Sequence, residues 1–120
     1  MQLATYVRLF ADAQGESHFE DLQMDLAPVD FAPPAAPVNL GQFLPTAHSY
    51  YVGVPVGWHD EVTHPSPRRQ SYSNLPGEYE VTASDGEVRR FGAGSVLLLE
   101  DTTGKGHSTH FTGDEDVLML

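Results

Sequence analysis

An all-β domain built from short strands, a sandwich or barrel, is what the sequence predicts, and three observations carry that expectation. Nine prolines and eleven glycines are spread through 120 residues, too many helix breakers for a bundle. Short runs of alternating or β-branched character recur roughly every ten residues, the rhythm of a sandwich or barrel. Between two of these runs stands Asp85-Gly86, the strongest hairpin signal in the chain.

The elements follow in order. Gln2 to Phe10 is apolar and β-branched enough for a strand. In Ser17 to Leu26, Leu22, Met24 and Leu26 recur at period two against Asp21, Gln23 and Asp25, the pattern of a half-buried strand. Ala27 to Val38 contains Pro28, Pro33, Pro34 and Pro37 and cannot join a ladder centrally. It predicts an ordered loop draped over an edge or an opening, with Phe31 either plugged into the body or part of a simple connector. His48 to Val56 places His48, Tyr50, Val52, Val54 and Val56 on one face of a strand. Strands are also expected at Arg68 to Asn74, Glu78 to Ser84, Glu87 to Phe91, Ser95 to Glu100, His107 to Thr112 and Asp116 to Leu120. The run SVLLLE is apolar enough to be buried on both faces. The last strand ends on Leu120 without a polar terminator, which predicts a native chain that continues.

Length and composition narrow the function. A chain of 120 residues makes one domain, spanning 1–120, that buries about two-thirds of its unfolded surface. Six Lys+Arg against 17 Asp+Glu give a formal charge of −11, so nucleic acid and anionic membrane are not expected partners. The absence of Cys excludes disulfides, thiolate catalysis and Cys-based metal sites. No basic segment leads into an apolar one at the N-terminus, and no 18 apolar residues are consecutive. The expectation is a soluble, cytoplasmic protein.

Two segments carry a family resemblance. Over residues 57–77, His64, Ser66, Gln70 and Gly77 are separated by one, three and six residues. Over residues 94–111, Gly94 is followed by SVLLLE, Thr102, Gly104 and His107. Between them lies GEYEVTASDGEVRRFGAG, a hairpin and its glycine-containing return. The chain thereby resembles the cupin superfamily, in the manner of its small single-domain members. Ser66 and Gln70 stand where that family has its second His and its Glu, Thr102 stands for its Pro, and Gly57 falls one residue short of the leading Gly. The resemblance implies an antiparallel jelly-roll β-barrel with the motif side chains converging inside, and a homodimer.

Strand parity points the same way. His64, Ser66 and Gln70 share a parity, as do Arg68, Tyr72 and Asn74, and His107, Thr109 and Phe111 share a face on a later strand. A barrel brings His64, Gln70 and His107 around one interior point. Two imidazoles and an amide oxygen suit one divalent transition metal (Mn, Fe, Ni, Cu or Zn), or none, since a neutral Gln brings no charge compensation. His59 would add a third nitrogen only if residues 60–63 turned. Without metal, His64 and His107 serve as general base and general acid, and Arg68 forks onto a carboxylate or enolate oxygen. Gln70, Tyr50, Tyr72 and Phe111 line the substrate cavity. Of Glu100 and Asp101, one orients His107 or bonds the glycine turn.

The expected function is therefore a small-molecule enzyme of lyase, isomerase or cyclase type, transferring a proton beside a carbonyl. A metal-dependent dioxygenase and a non-catalytic ligand-binding module are the alternatives.

Overall fold

The computed structural model describes residues 2–42 and 45–120, and for residues 59–61 the backbone alone. Twelve strands run along the described chain: β1 (Leu3–Ala11), β2 (Ser17–Asp25), β3 (Ala27–Val29), β4 (Val38–Leu40), β5 (Val52–Val54) and β6 (His59–His64), followed by β7 (Gln70–Ser73), β8 (Tyr79–Ala83), β9 (Val88–Phe91), β10 (Val96–Glu100), β11 (His107–His110) and β12 (Val117–Met119). The described residues contain no helix, and so none long and apolar enough to cross a membrane.

The strands assemble into two four-stranded sheets, ordered β2-β1-β10-β7 and β6-β11-β8-β9, with two ribbons, β12-β5 and β3-β4. Ser73 and Leu120 exchange backbone hydrogen bonds of 2.7 and 2.9 Å, and Asn74 bridges to Met119. These bonds carry the β12-β5 ribbon onto the free edge of β7. The alternation in each strand turns its apolar half toward the opposite sheet. Leu9, Leu97 and Leu99 from the first sheet meet Tyr79, Val81, Ala83 and Phe91 from the second, and Val117 and Met119 close one end. Each of the Leu, Val, Phe and Met side chains contributes about 1.5–3 kcal/mol by leaving water.

The strands at both ends of the chain, the hairpin at Asp85-Gly86 and the doubly buried run at 96–100 lie where the sequence predicts them. Gly86 supplies the positive φ of 96° that this turn needs. Arg90 pairs across the hairpin with Glu80 at 2.7 Å. Arg89 instead reaches Asp21 and Glu87.

Several expectations are corrected. The pairing is not wholly antiparallel, because β1 runs parallel to β10, with Val7 opposite Leu97 and Leu9 opposite Leu99. The proline-rich segment is not a plain loop. Its ends pair as β3 and β4, and Pro28 is tolerated because this two-stranded ladder stands exposed. Phe31 does not plug into the body; it is 65% exposed. Only Val52–Val54 of the expected strand at 48–56 is extended into a ladder, since β12 offers three partners. Residues 59–64, which the sequence reading assigns to no strand, form β6 against β11. The strand expected from Arg68 begins at Gln70.

Candidate functional site

Glycine makes the site possible. At Gly106 a Cβ would collide with the backbone of His64 and Pro65, and φ is +79°. Only glycine lets the start of β11 press against the end of β6, and this contact sets residue 107 beside residue 64. Gly104 likewise packs against the backbone of Gly15, where a Cβ would collide, and Lys105 donates its N–H to the Gly15 carbonyl at 2.8 Å. The fully buried Ser17 donates to the Gly106 carbonyl at 2.7 Å. The turn before His107 is therefore held from two sides.

His64 and His107 pair directly in the ladder, with ring centroids 5.5 Å apart. His107 is buried, at 6% exposure, and Asp101 has no exposed surface at all. Asp101 Oδ2 accepts from His107 Nδ1 at 2.6 Å, and Asp101 Oδ1 accepts from Ser66 Oγ at 2.9 Å. Ser66 also donates its backbone N–H to the Asp101 carbonyl at 3.0 Å. A carboxylate can only accept, so the neutral imidazole carries its proton on Nδ1 and keeps the Nε2 lone pair. His64 is exposed and donates from Nδ1 to the Pro65 carbonyl at 3.0 Å.

These groups border a cavity of about 260 Å³ between the sheets. His64, Ser66, Gln70, His107 and Thr109 supply its polar surface, while Trp58, Tyr72, Tyr79, Leu97, Leu99 and Phe111 form most of the apolar wall. Trp58 meets Phe111 edge-on at 5.3 Å, and Tyr79 stacks on Phe91 at 5.3 Å. Burial drives the Tyr79 phenol far above its ordinary range, and its hydroxyl has no partner among the described residues. Burial also raises the Tyr72 phenol, with a smaller contribution from Tyr50.

The structure thus brings together five residues selected in the sequence: His64, Gln70, Tyr72, His107 and Phe111. It separates two others. Arg68 precedes β7, so strand parity does not bind it, and it lies with the 56%-exposed Tyr50 along a different depression. The fork from Arg68 onto a substrate in this cavity is therefore withdrawn. Of the Glu100-Asp101 pair, Asp101 meets the imidazole, whereas Glu100 bonds Arg8 and Arg69.

The donor set fits a tightly held metal poorly. Among the described residues no group of three or more His, Asp or Glu converges on one point. Ser66 faces Asp101, both Asp101 oxygens are engaged, and two imidazoles with one amide are left. The side chain of His59 lies outside the described residues. Its backbone sits opposite His110, at the far end of the continuous strand β6, so residues 60–63 do not turn.

Trp58 and Tyr79 were not selected in the sequence, nor was Ser66 seen as a support for Asp101. The spacing from Ser66 to the other motif positions was the one available signal. Comparison with known proteins returns no match, either to a family model or to a curated sequence.

Proposed function

We propose that this protein is an acid–base enzyme of the lyase, isomerase or cyclase type, acting on a small carbonyl compound within a cupin-like jelly-roll barrel. One observation carries the reading: a fully buried carboxylate holds His107 beside a second imidazole on the wall of an otherwise largely apolar cavity. The same pairing on an exposed surface would indicate only a salt bridge. In an enclosed site it is how a general base is oriented and its cation stabilised.

The proposed step is proton abstraction beside a carbonyl. His107 Nε2 takes the proton, the C–H electron pair forms the enolate double bond, and Asp101 stabilises the imidazolium. His64, facing His107 and entering the step as the imidazolium, delivers its Nε2 proton to carbon or oxygen; His107 then passes the abstracted proton to solvent and His64 takes one back. Gln70 donates an amide N–H to the developing oxyanion. Trp58, Tyr72 and Phe111 exclude water from the apolar body of the substrate. The two-sheet packing and the convergence of the motif residues support the barrel. Two imidazoles and a neutral amide suit a tightly held metal poorly, so dioxygenase chemistry is the weaker reading.

Exchange of the α-protons of 1-indanone in D2O, followed by NMR, tests this function. The wild-type protein accelerates exchange, and His107→Gln and Asp101→Asn lose about 10²–10⁴-fold, the usual worth of a positioned acid or base. Equal rates in all three proteins would sink the proposal.

The reading includes a homodimer. β2 is an edge strand of its sheet, and the ribbon that continues it exposes Val29, Phe31 and Val38. A second copy of the chain suits that surface.

A further inference from the structure

We infer that the depression beside β7, under residues 45–50, is a second binding site, for a small carboxylate with a flat apolar body. It stands apart from the acid–base reading of the inner cavity. Its volume is about 380 Å³, within the range of small-molecule sites.

The distribution of charge carries the argument. The chain has 17 acidic residues, yet the residues along this depression include no Asp or Glu, and they do include Arg68, Arg69 and His48. Among the described residues, Arg8, Arg69, Arg89, Arg90 and Lys105 each pair with a carboxylate. Arg68 alone of the six cations makes no such pair. Arg69, next to it in the chain, shares Glu100 with Arg8, and Arg8 also holds Glu20. The Arg68 charge thus lies along the depression with no carboxylate partner among the described residues, in a strongly acidic protein.

The remaining walls define the ligand. Ser49, Ser71 and Ser73 offer hydroxyl donors along the same depression. Tyr50, Val52 and Leu98 supply an aromatic face and an apolar floor. Leu98 points this way because its neighbours Leu97 and Leu99 point into the core. A planar guanidinium fork matches a carboxylate in two parallel hydrogen bonds, and Tyr50 stacks on a flat ring behind it. Gln70 and Tyr72 border both cavities, so the two sites share a wall.

Calorimetric titration of the 120-residue chain with sodium benzoate tests the inference, with benzamide and inorganic phosphate as comparators. Benzoate is expected to bind saturably at millimolar concentration or below, about tenfold more tightly than neutral benzamide. Arg68→Gln should lose about tenfold in benzoate affinity, and Tyr50→Ala should weaken benzoate without changing phosphate. Arg89→Gln removes the same formal charge elsewhere and should bind as wild type, which separates a local site from the overall field. Because Arg68 is exposed and makes no ion pair among the described residues, its replacement should leave the melting temperature unchanged. Benzoate binding unaffected by Arg68→Gln, equal affinity for benzamide, or no saturation would each overturn the assignment. Phosphate binding as tightly as benzoate would overturn its aromatic part. His107→Gln should retain full benzoate affinity, so failure of one site is distinguishable from failure of the other.

Discussion

Asp101 is the residue whose loss the protein should feel most sharply relative to its size. Its two oxygens satisfy Ser66 and His107 in a region without solvent. An amide at this position presents a donor to one of two donors. Asp101→Asn should therefore lower unfolding free energy by about 1–3 kcal/mol, measured by urea titration. Tyr79 predicts the opposite sign. Its hydroxyl is buried without a partner among the described residues, so Tyr79→Phe should leave stability unchanged or raise it by about 1 kcal/mol. A loss of more than about 1 kcal/mol would show that the hydroxyl is bonded in solution. The two histidines were legible because their spacing around glycine turns is unusual in sequence. Arg68 was misplaced because parity arguments hold only inside a strand, and its strand starts two residues later. Tyr79 carried no signal: a tyrosine opening a strand looks the same whether its hydroxyl is bonded or orphaned.

Elements are tied together by two contacts with testable consequences. His18, on β2, bonds Asp12 in the β1–β2 turn through Nε2 at 2.7 Å and Asp85 in the β8–β9 turn through Nδ1 at 2.9 Å. The bond to Asp12, then that to Asp85, raises the imidazole above its ordinary 6.5, and the bond to His18 holds Asp12 below its ordinary 3.8. The stabilisation from His18 is complete below pH 6.5 and fades as pH rises through the raised value. On the acid side it fades as pH falls through the lowered Asp12 value. The melting temperature of His18→Gln should therefore lie below wild type near pH 5–6 and converge with it by about pH 9. A difference constant across that range would contradict the clamp. Gly106→Ala should destabilise by at least about 1–3 kcal/mol, read by thermal melting, because the positive φ and the His64 backbone both oppose a methyl group. Hairpin β8–β9 was readable because Asp-Gly has few alternative uses. Strand β6 was not, since HDEVTH has one apolar residue and owes its extension to β11 alongside. The pairing of β3 with β4 was hidden by the prolines, which bar a central ladder and not an exposed ribbon.

Across the whole molecule, the all-β class was legible from breakers and rhythm, while the order of strands was not. Nothing local announces that β1 lies parallel to β10, about ninety residues away, because that neighbour is chosen by the core both strands cover. The radius of gyration, 16.0 Å, exceeds the roughly 14 Å expected of a compact chain of this length. The exposed β3–β4 ribbon contributes to that excess. If it docks on a second copy, light scattering should report a dimer, and replacing residues 28–37 with a Gly-Ser linker should yield a monomer with proton exchange intact. A monomer at every concentration of the unaltered chain would remove the dimer from the account. The acid–base centre is tested most directly by the nitrogen resonances of its rings. In protein with 15N-labelled histidine, neutral His107 should carry its proton on Nδ1, and added 1-indanone should shift the Nε2 signals of His64 and His107 but not those of His18. A proton on Nε2 of His107, or two cavity rings indifferent to the ligand, would contradict the account.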